Sequence, residues 1–174
     1  MPGLWPSEKR SADLWIMATM NDLESIRGYL RLDDRLATSG MPEPEHFAAM
    51  RVAGFEAVIN LALPTSDHAM PNEGELVSAQ GMTYVQIPVK FDAPQPEDFE
   101  RFDRVMEVFD GRPVFVHCAA NMRVSAFVFL RRLRRGNVSR TEAEQDLRKI
   151  WEPDGVWREF INRTLAEWKQ PPLR

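Results

Sequence analysis

The sequence predicts an α/β fold: a mainly parallel central sheet of four to five strands flanked by helices on both faces. Three observations predict it. Short apolar runs at residues 57–63, 83–89 and 114–116 read as buried strands. Segments with helical periodicity fall between them, so strands and helices alternate. Each run ends in a loop, at 64–71, 90–96 and 117–123, and in such sheets ligands bind at the carboxyl ends of the strands.

Taken in order, residues 1–21 carry prolines, charges and isolated tryptophans and read as a poorly ordered extension with one helical turn around Leu14 to Met20. Residues 22–174 read as a single domain. Residues 29–32 and 36–39 alternate weakly around Asp33-Asp34, which suggests a small leading hairpin. Residues 44–53 form a short helix with Phe47, Met50 and Val52 as apolar positions, ended by Gly54. After the 57–63 strand, residues 73–80 read as a helix capped by Asn72 with Glu75 three residues later. After the 83–89 strand, residues 97–110 are amphipathic, with Phe99, Phe102, Val105, Met106 and Phe109 on one stripe. An apolar helix begins near Val124. Residues 139–150, with Ser139 and Glu142 in capping-box spacing, and residues 156–168 supply the last two helices.

Composition bounds the function. The chain has 174 residues, 44% hydrophobic and 28% charged, with a net charge of −4. An acidic balance argues against a general nucleic-acid binder. Its single cysteine forbids an internal disulfide and fits a reducing compartment. No apolar run approaches the ~20 residues that span a bilayer, and no secretory pattern opens the chain. These features predict a cytoplasmic protein without membrane contact. The three histidines, His46, His68 and His117, lack metal-ligand spacing, so neither metal nor cofactor is expected.

Residues 113–130, PVFVHCAANMRVSAFVFL, hold the chemistry. Cys118 sits where strand becomes loop, and a helix follows. Backbone N–H groups and the positive end of that helix suit an anion, and a thiol there ionises more easily than a free one. Arg123 supplies a fixed positive charge, which is unfavourable at a helix start unless an anion joins it. Free cysteine is by itself more often a buried structural residue. His117, Arg123 and the helix start reverse that reading. The His117 ring can bond a neighbouring carbonyl and hold the loop from behind. Ser125 can bond its own backbone or reach the thiolate. A leaving oxygen needs a proton, and Asp92, in the loop after the 83–89 strand, is the best-placed acid. Asp98 is second, and more readily explained as a helix-start carboxylate. Asp67 and His68 read as solvated turn residues. Arg131, Arg132, Arg134 and Arg135 close a helix, where cations are expected. Trp151, Trp157 and Trp168 read as packing residues.

HCAANMRVS resembles the signature loop of cysteine-dependent protein phosphatases, which runs HC, five residues, Arg, then Ser or Thr. Together with LATSGMPEPEHFAAMRVAGFEAVINLALP, MTYVQIPV and IWEPDGVW, it is closer still to a bacterial phosphatase-like family of uncharacterised function that resembles the dual-specificity phosphatases. The resemblance covers about residues 26–161. It implies a protein tyrosine phosphatase-like fold of the dual-specificity type. It implies Cys118 as nucleophile, Arg123 as the bidentate phosphate ligand and Asp92 as general acid. His117, Ala119, Ala120, Asn121, Met122 and Ser125 would bind phosphate or support the loop. The implied partner is a phosphorylated protein or small molecule, or an inorganic oxyanion.

One departure stands out. Four residues separate Cys118 from Arg123, not five, while Ser125 keeps its usual distance of seven. Either the loop keeps its length with the arginine one place early and Val124 in its stead, or the loop is a residue shorter. One step at a helix start turns a side chain by about 100°. Asn121 replaces the usual Gly, a mild change because Asn tolerates a left-handed backbone. The expected function is phosphate monoester hydrolysis through a phosphocysteine intermediate. The alternatives are a non-catalytic oxyanion-binding module on the same fold and a sulfurtransferase that carries a persulfide on the cysteine.

Overall fold

The computed structural model describes residues 22–173. The extension at 1–21, with its expected turn at Leu14 to Met20, lies outside them. The described elements are β1 (Leu30–Arg31), β2 (Leu36–Ser39), α1 (Pro44–Val52), β3 (Ala57–Asn60), α2 (Glu73–Ala79), β4 (Thr83–Gln86), α3 (Pro96–Val108), β5 (Val114–His117), α4 (Met122–Arg135), α5 (Arg140–Ile150) and α6 (Gly155–Glu167). The strands form one sheet in the order β1-β2-β5-β3-β4. Only the β1–β2 hairpin is antiparallel. The expected mainly parallel sheet is therefore present, with β5 at its centre.

Strand alternation sorts side chains onto two faces. Val114 and Val116 of β5, with Ala57 and Ile59 of β3, join a cluster built on α3, α4, α5 and α6. Phe115 and Val58 join the opposite cluster, with Phe47 and Met50 of α1 and Val77 of α2. Phe127 of α4, fully buried, centres the first cluster. Its ring lies 5.6–5.9 Å from those of Phe99, Phe102, Trp157 and Phe160. The register aligns Ser39, His117, Asn60 and Gln86 in one row at the carboxyl edge.

Several boundaries move from the sequence-based expectation. β3 stops at Asn60 rather than residue 63, because the Asn60 side chain accepts the Ala62 N–H at 2.7 Å and bends the chain. Leu61 and Ala62 are apolar because they are buried beyond the strand. β4 stops at Gln86, two residues before Pro88, which has no N–H to donate. As the edge strand it is half-exposed rather than buried. Val52 is 60% exposed and belongs to no apolar face. Asn72 makes no side-chain cap for α2; its main-chain carbonyl takes the N–H groups of Glu75 and Leu76 instead. Ser139 does cap α5, accepting from the Glu142 N–H at 3.2 Å.

The arginine run at the end of α4 is held by acids on its neighbours. Arg131 pairs with Asp103 and Arg134 with Glu100 and Asp103, all on α3. Arg132 pairs with Glu142 and Asp146 on α5. No helix of the described residues is long and apolar enough to cross a membrane.

Candidate active site

β5 delivers the loop. His117 is the last strand residue, and its carbonyl accepts the Leu61 N–H at 2.9 Å. The Cys118 N–H donates to Ser39 O at 3.3 Å, and the Met41 N–H to Ala119 O at 3.2 Å. Gly40 bridges to Ala120. A Cβ on Gly40 would sit 2.8 Å from Arg27 O and 3.0 Å from Ala119 O, so only glycine admits this approach. Asn121 turns the chain with φ of 63°, the left-handed value that the residue type permits. Its Nδ2 donates to Gly28 O at 2.7 Å and to the Thr38 hydroxyl at 2.9 Å. Two short contacts therefore fix the turn that starts α4.

α4 begins at Met122, two residues before the expected start. The loop is thus the residues Cys118 to Asn121, and Arg123 is a helical residue rather than a loop residue. Helix geometry leaves the first N–H groups of α4 without intrahelical partners and concentrates positive potential there. Cys118 is buried, 1% exposed, on the face of the sheet that carries α3 to α6.

The Arg123 guanidinium points to the neighbouring strand ends. It donates to Val89 O at 2.9 Å and, more loosely, to Leu61 O at 3.5 Å, and lies 5.9 Å from the centre of the Phe91 ring. Arg123 is 5% exposed, and its Nε has no partner. Among the described residues no carboxylate pairs with it. A buried cation with no counter-charge at a helix start is costly, and an anion in the loop would relieve it. The Ser125 hydroxyl donates to Met122 O at 3.0 Å and accepts from Trp151 Nε1 at 3.1 Å, so the local backbone bond is the one formed.

Asp92 is exposed in the loop between β4 and α3. Its neighbour Phe91 covers Arg123 and contacts the Trp151 and Trp157 rings at 6.0 and 5.8 Å. Trp157 Nε1 donates to Phe91 O at 2.8 Å, which fixes the loop one residue from Asp92. Asp98, the second candidate acid, serves the start of α3: it accepts the Gln95 N–H at 3.0 Å and pairs with Arg101. Asp67 and His68 lie in the 64–71 loop, both exposed, as solvated turn residues would be.

Behind the loop lies a group that sequence reading missed. His117 Nε2 is 2.6 Å from Glu73 Oε1, with both side chains buried. Glu73 Oε2 accepts from Asn60 Nδ2 at 2.8 Å, and Asn60 Nδ2 also lies 3.2 Å from the Tyr84 hydroxyl. Burial, and then the charge of Glu73, push the Tyr84 phenol up to about 12. Asn60 and Tyr84 are polar interruptions in the two apolar runs at 57–63 and 83–89, and those interruptions were the available signal. His117 was expected to bond a neighbouring carbonyl through its ring; the partner is a carboxylate. Alternation puts the His117 ring and the Cys118 thiol on opposite faces, so the ring acts on the thiol only through the peptide between them.

A mainly parallel sheet whose central strand ends in a cysteine loop, with a long helix leading away, defines the protein tyrosine and dual-specificity phosphatase class of fold. The family model described as a DSP-PTPase phosphatase fused to NAD+ kinase matches residues 24–163, and the chain belongs to that phosphatase family. A solved structure from Shewanella putrefaciens CN-32, described as a candidate phosphatase (DUF442), is 34% identical, with a TM-score of 0.76 over 86% of this chain and 98% of that one. Kinase associated phosphatase shares the fold at 12% identity, with a TM-score of 0.66 over 77% of this chain and 87% of that one. A beta-lactamase hydrolase-like protein of Agrobacterium fabrum is 28% identical over 118 residues, 66% of this chain. The chain spans 27% of that relative's length.

Proposed function

We propose that the protein is a metal-independent phosphatase that hydrolyses a phosphate monoester through a phosphocysteine intermediate. The observation that carries the reading is the buried, uncompensated Arg123 guanidinium beside the N-terminus of α4, five positions after a lone cysteine at the end of β5. Thiolate attack on phosphorus makes the S–P bond and breaks the P–O bond to the leaving group, and Asp92 gives that oxygen its proton. Water, deprotonated by Asp92, then attacks phosphorus and returns the thiolate. Loop amides and Arg123, turned from the Val89 carbonyl towards the loop, hold the phosphoryl oxygens. The substrate is a phosphorylated protein or small molecule.

The test is turnover of a chromogenic aryl phosphate with chelator present. The expected result is activity that survives chelation and is lost in Cys118→Ser. Absence of turnover of any phosphate ester between about pH 5 and 8, the range in which such thiols and acids work, overturns it.

A second reading rests on the same site. Cys118 is nearly closed to solvent, the Arg123 guanidinium is engaged with main-chain carbonyls, and Ser125 bonds Met122 rather than the sulfur. A loop so arranged suits a cysteine that carries a persulfide, which needs neither a general acid nor a bidentate arginine, or a module that only binds an oxyanion. Mass spectrometry of Cys118 after thiosulfate treatment detects the persulfide. Thermal stabilisation by phosphate without turnover marks the binding module.

A further inference from the structure

The carboxyl edge of the sheet contains a polar chain that the phosphatase reading leaves unused. Glu73 is the first residue of α2 and is 3% exposed, yet its carboxylate faces inward. It holds the ends of two strands, His117 of β5 at 2.6 Å and Asn60 of β3 at 2.8 Å, and Asn60 Nδ2 in turn lies 3.2 Å from the hydroxyl of Tyr84 in β4. Each of these strands leads into one of the three loops at the site. A carboxylate only accepts, so His117 Nε2 and Asn60 Nδ2 are both donors to it, and Asn60 Nδ2 also donates to the Tyr84 hydroxyl. Asn60 cannot turn its amide over, because its Oδ1 already holds the Ala62 N–H at 2.7 Å. Donor and acceptor order is therefore fixed along the whole chain.

We propose that Glu73 is a positioning residue for Cys118. It pins the His117 ring on the far face of the sheet at the residue where β5 gives way to the loop. It thereby sets the direction in which Cys118 leaves the strand, while its bond to Asn60 ties β3, the strand beside β5, to the same point. His117 is already held at its carbonyl by the Leu61 N–H, and the next peptide by Ser39 O. Glu73 adds the only side-chain hold on that ring among the described residues, since His117 Nδ1 has no partner. The proposal rests on the phosphatase reading for its effect on turnover, but not for its effect on the thiol.

The test uses Glu73→Gln, which keeps size and loses one acceptor. The amide oxygen so introduced can accept from His117, but its NH2 group then faces the Asn60 donor. Adding Asn60→Asp restores the order, because a carboxylate at that position accepts both from this NH2 group and from the Ala62 N–H. Two readouts are taken: aryl phosphate kinetics, and the rate at which iodoacetamide alkylates Cys118 without ligand. In Glu73→Gln, kcat falls about tenfold or more, as small misplacements of reacting groups do, while KM changes little. Alkylation becomes severalfold faster because the loop loosens around a buried thiol, and the double variant recovers both values. Unchanged alkylation in Glu73→Gln overturns the proposal, as does a double variant no better than the single. If the natural sequence turns over no aryl phosphate, the phosphatase reading falls alone, and the alkylation series still decides the role of Glu73.

Discussion

Tyr84 shows how a residue at the back of the site reports on it. Its phenol is pushed up to about 12 by burial and by Glu73, so the folded state keeps the proton that the unfolded chain releases near the ordinary 10.0. The stability that this supplies is complete below about pH 10 and is lost as pH rises through about 12. Spectrophotometric titration should find a late tyrosine step, and Tyr84→Phe should remove it along with the loss of stability over that range. At this scale the sequence was partly legible. Cys118 stood out by its uniqueness and its place at a strand end, and Asn121 took the left-handed turn that its chemistry allows. Glu73 was hidden: a glutamate in a first helical turn is expected on dipole grounds, and its burial depends on the ends of β3 and β5 meeting it in space.

Among the elements, α4 joins chemistry to packing. Its N-terminus makes the candidate anion site and its C-terminus is clamped by acids of α3 and α5. Asp103 serves both Arg131 and Arg134, and Arg131 is buried. Asp103→Ala should cost about 3–5 kcal/mol, the usual penalty for stranding one half of a buried pair, read as a lower denaturation midpoint in urea. Arg135→Ala, which breaks an exposed pair with Glu107, should cost under about 1 kcal/mol. The helices were legible from apolar spacing and the Ser139 cap. The start of α4 was not, because the turn is made by Asn121, whose hydrogen bonds reach back to Gly28 and Thr38, far away in the chain. The strand ends of β3 and β4 were missed because apolar character there reflects burial and not ladder pairing.

For the molecule as a whole, alternation of apolar runs and helical segments was enough to derive the sheet and the edge where the loops gather. Strand order was beyond it, since nothing local says that β5 inserts between β2 and β3. That insertion splits the interior unequally. Four helices and most of the aromatic rings lie on one side, and among the described residues α1, α2 and the segment that carries Leu23 and Ile26 cover the other. Partial opening therefore has a preferred side. Backbone amides of α1 and α2 should swap their hydrogens for deuterium sooner than those of α4, as followed by mass spectrometry of peptides. The carboxylate that braces His117 belongs to the layer that lets go first, so the thiol would lose its rear support while the helix in front of it still stands.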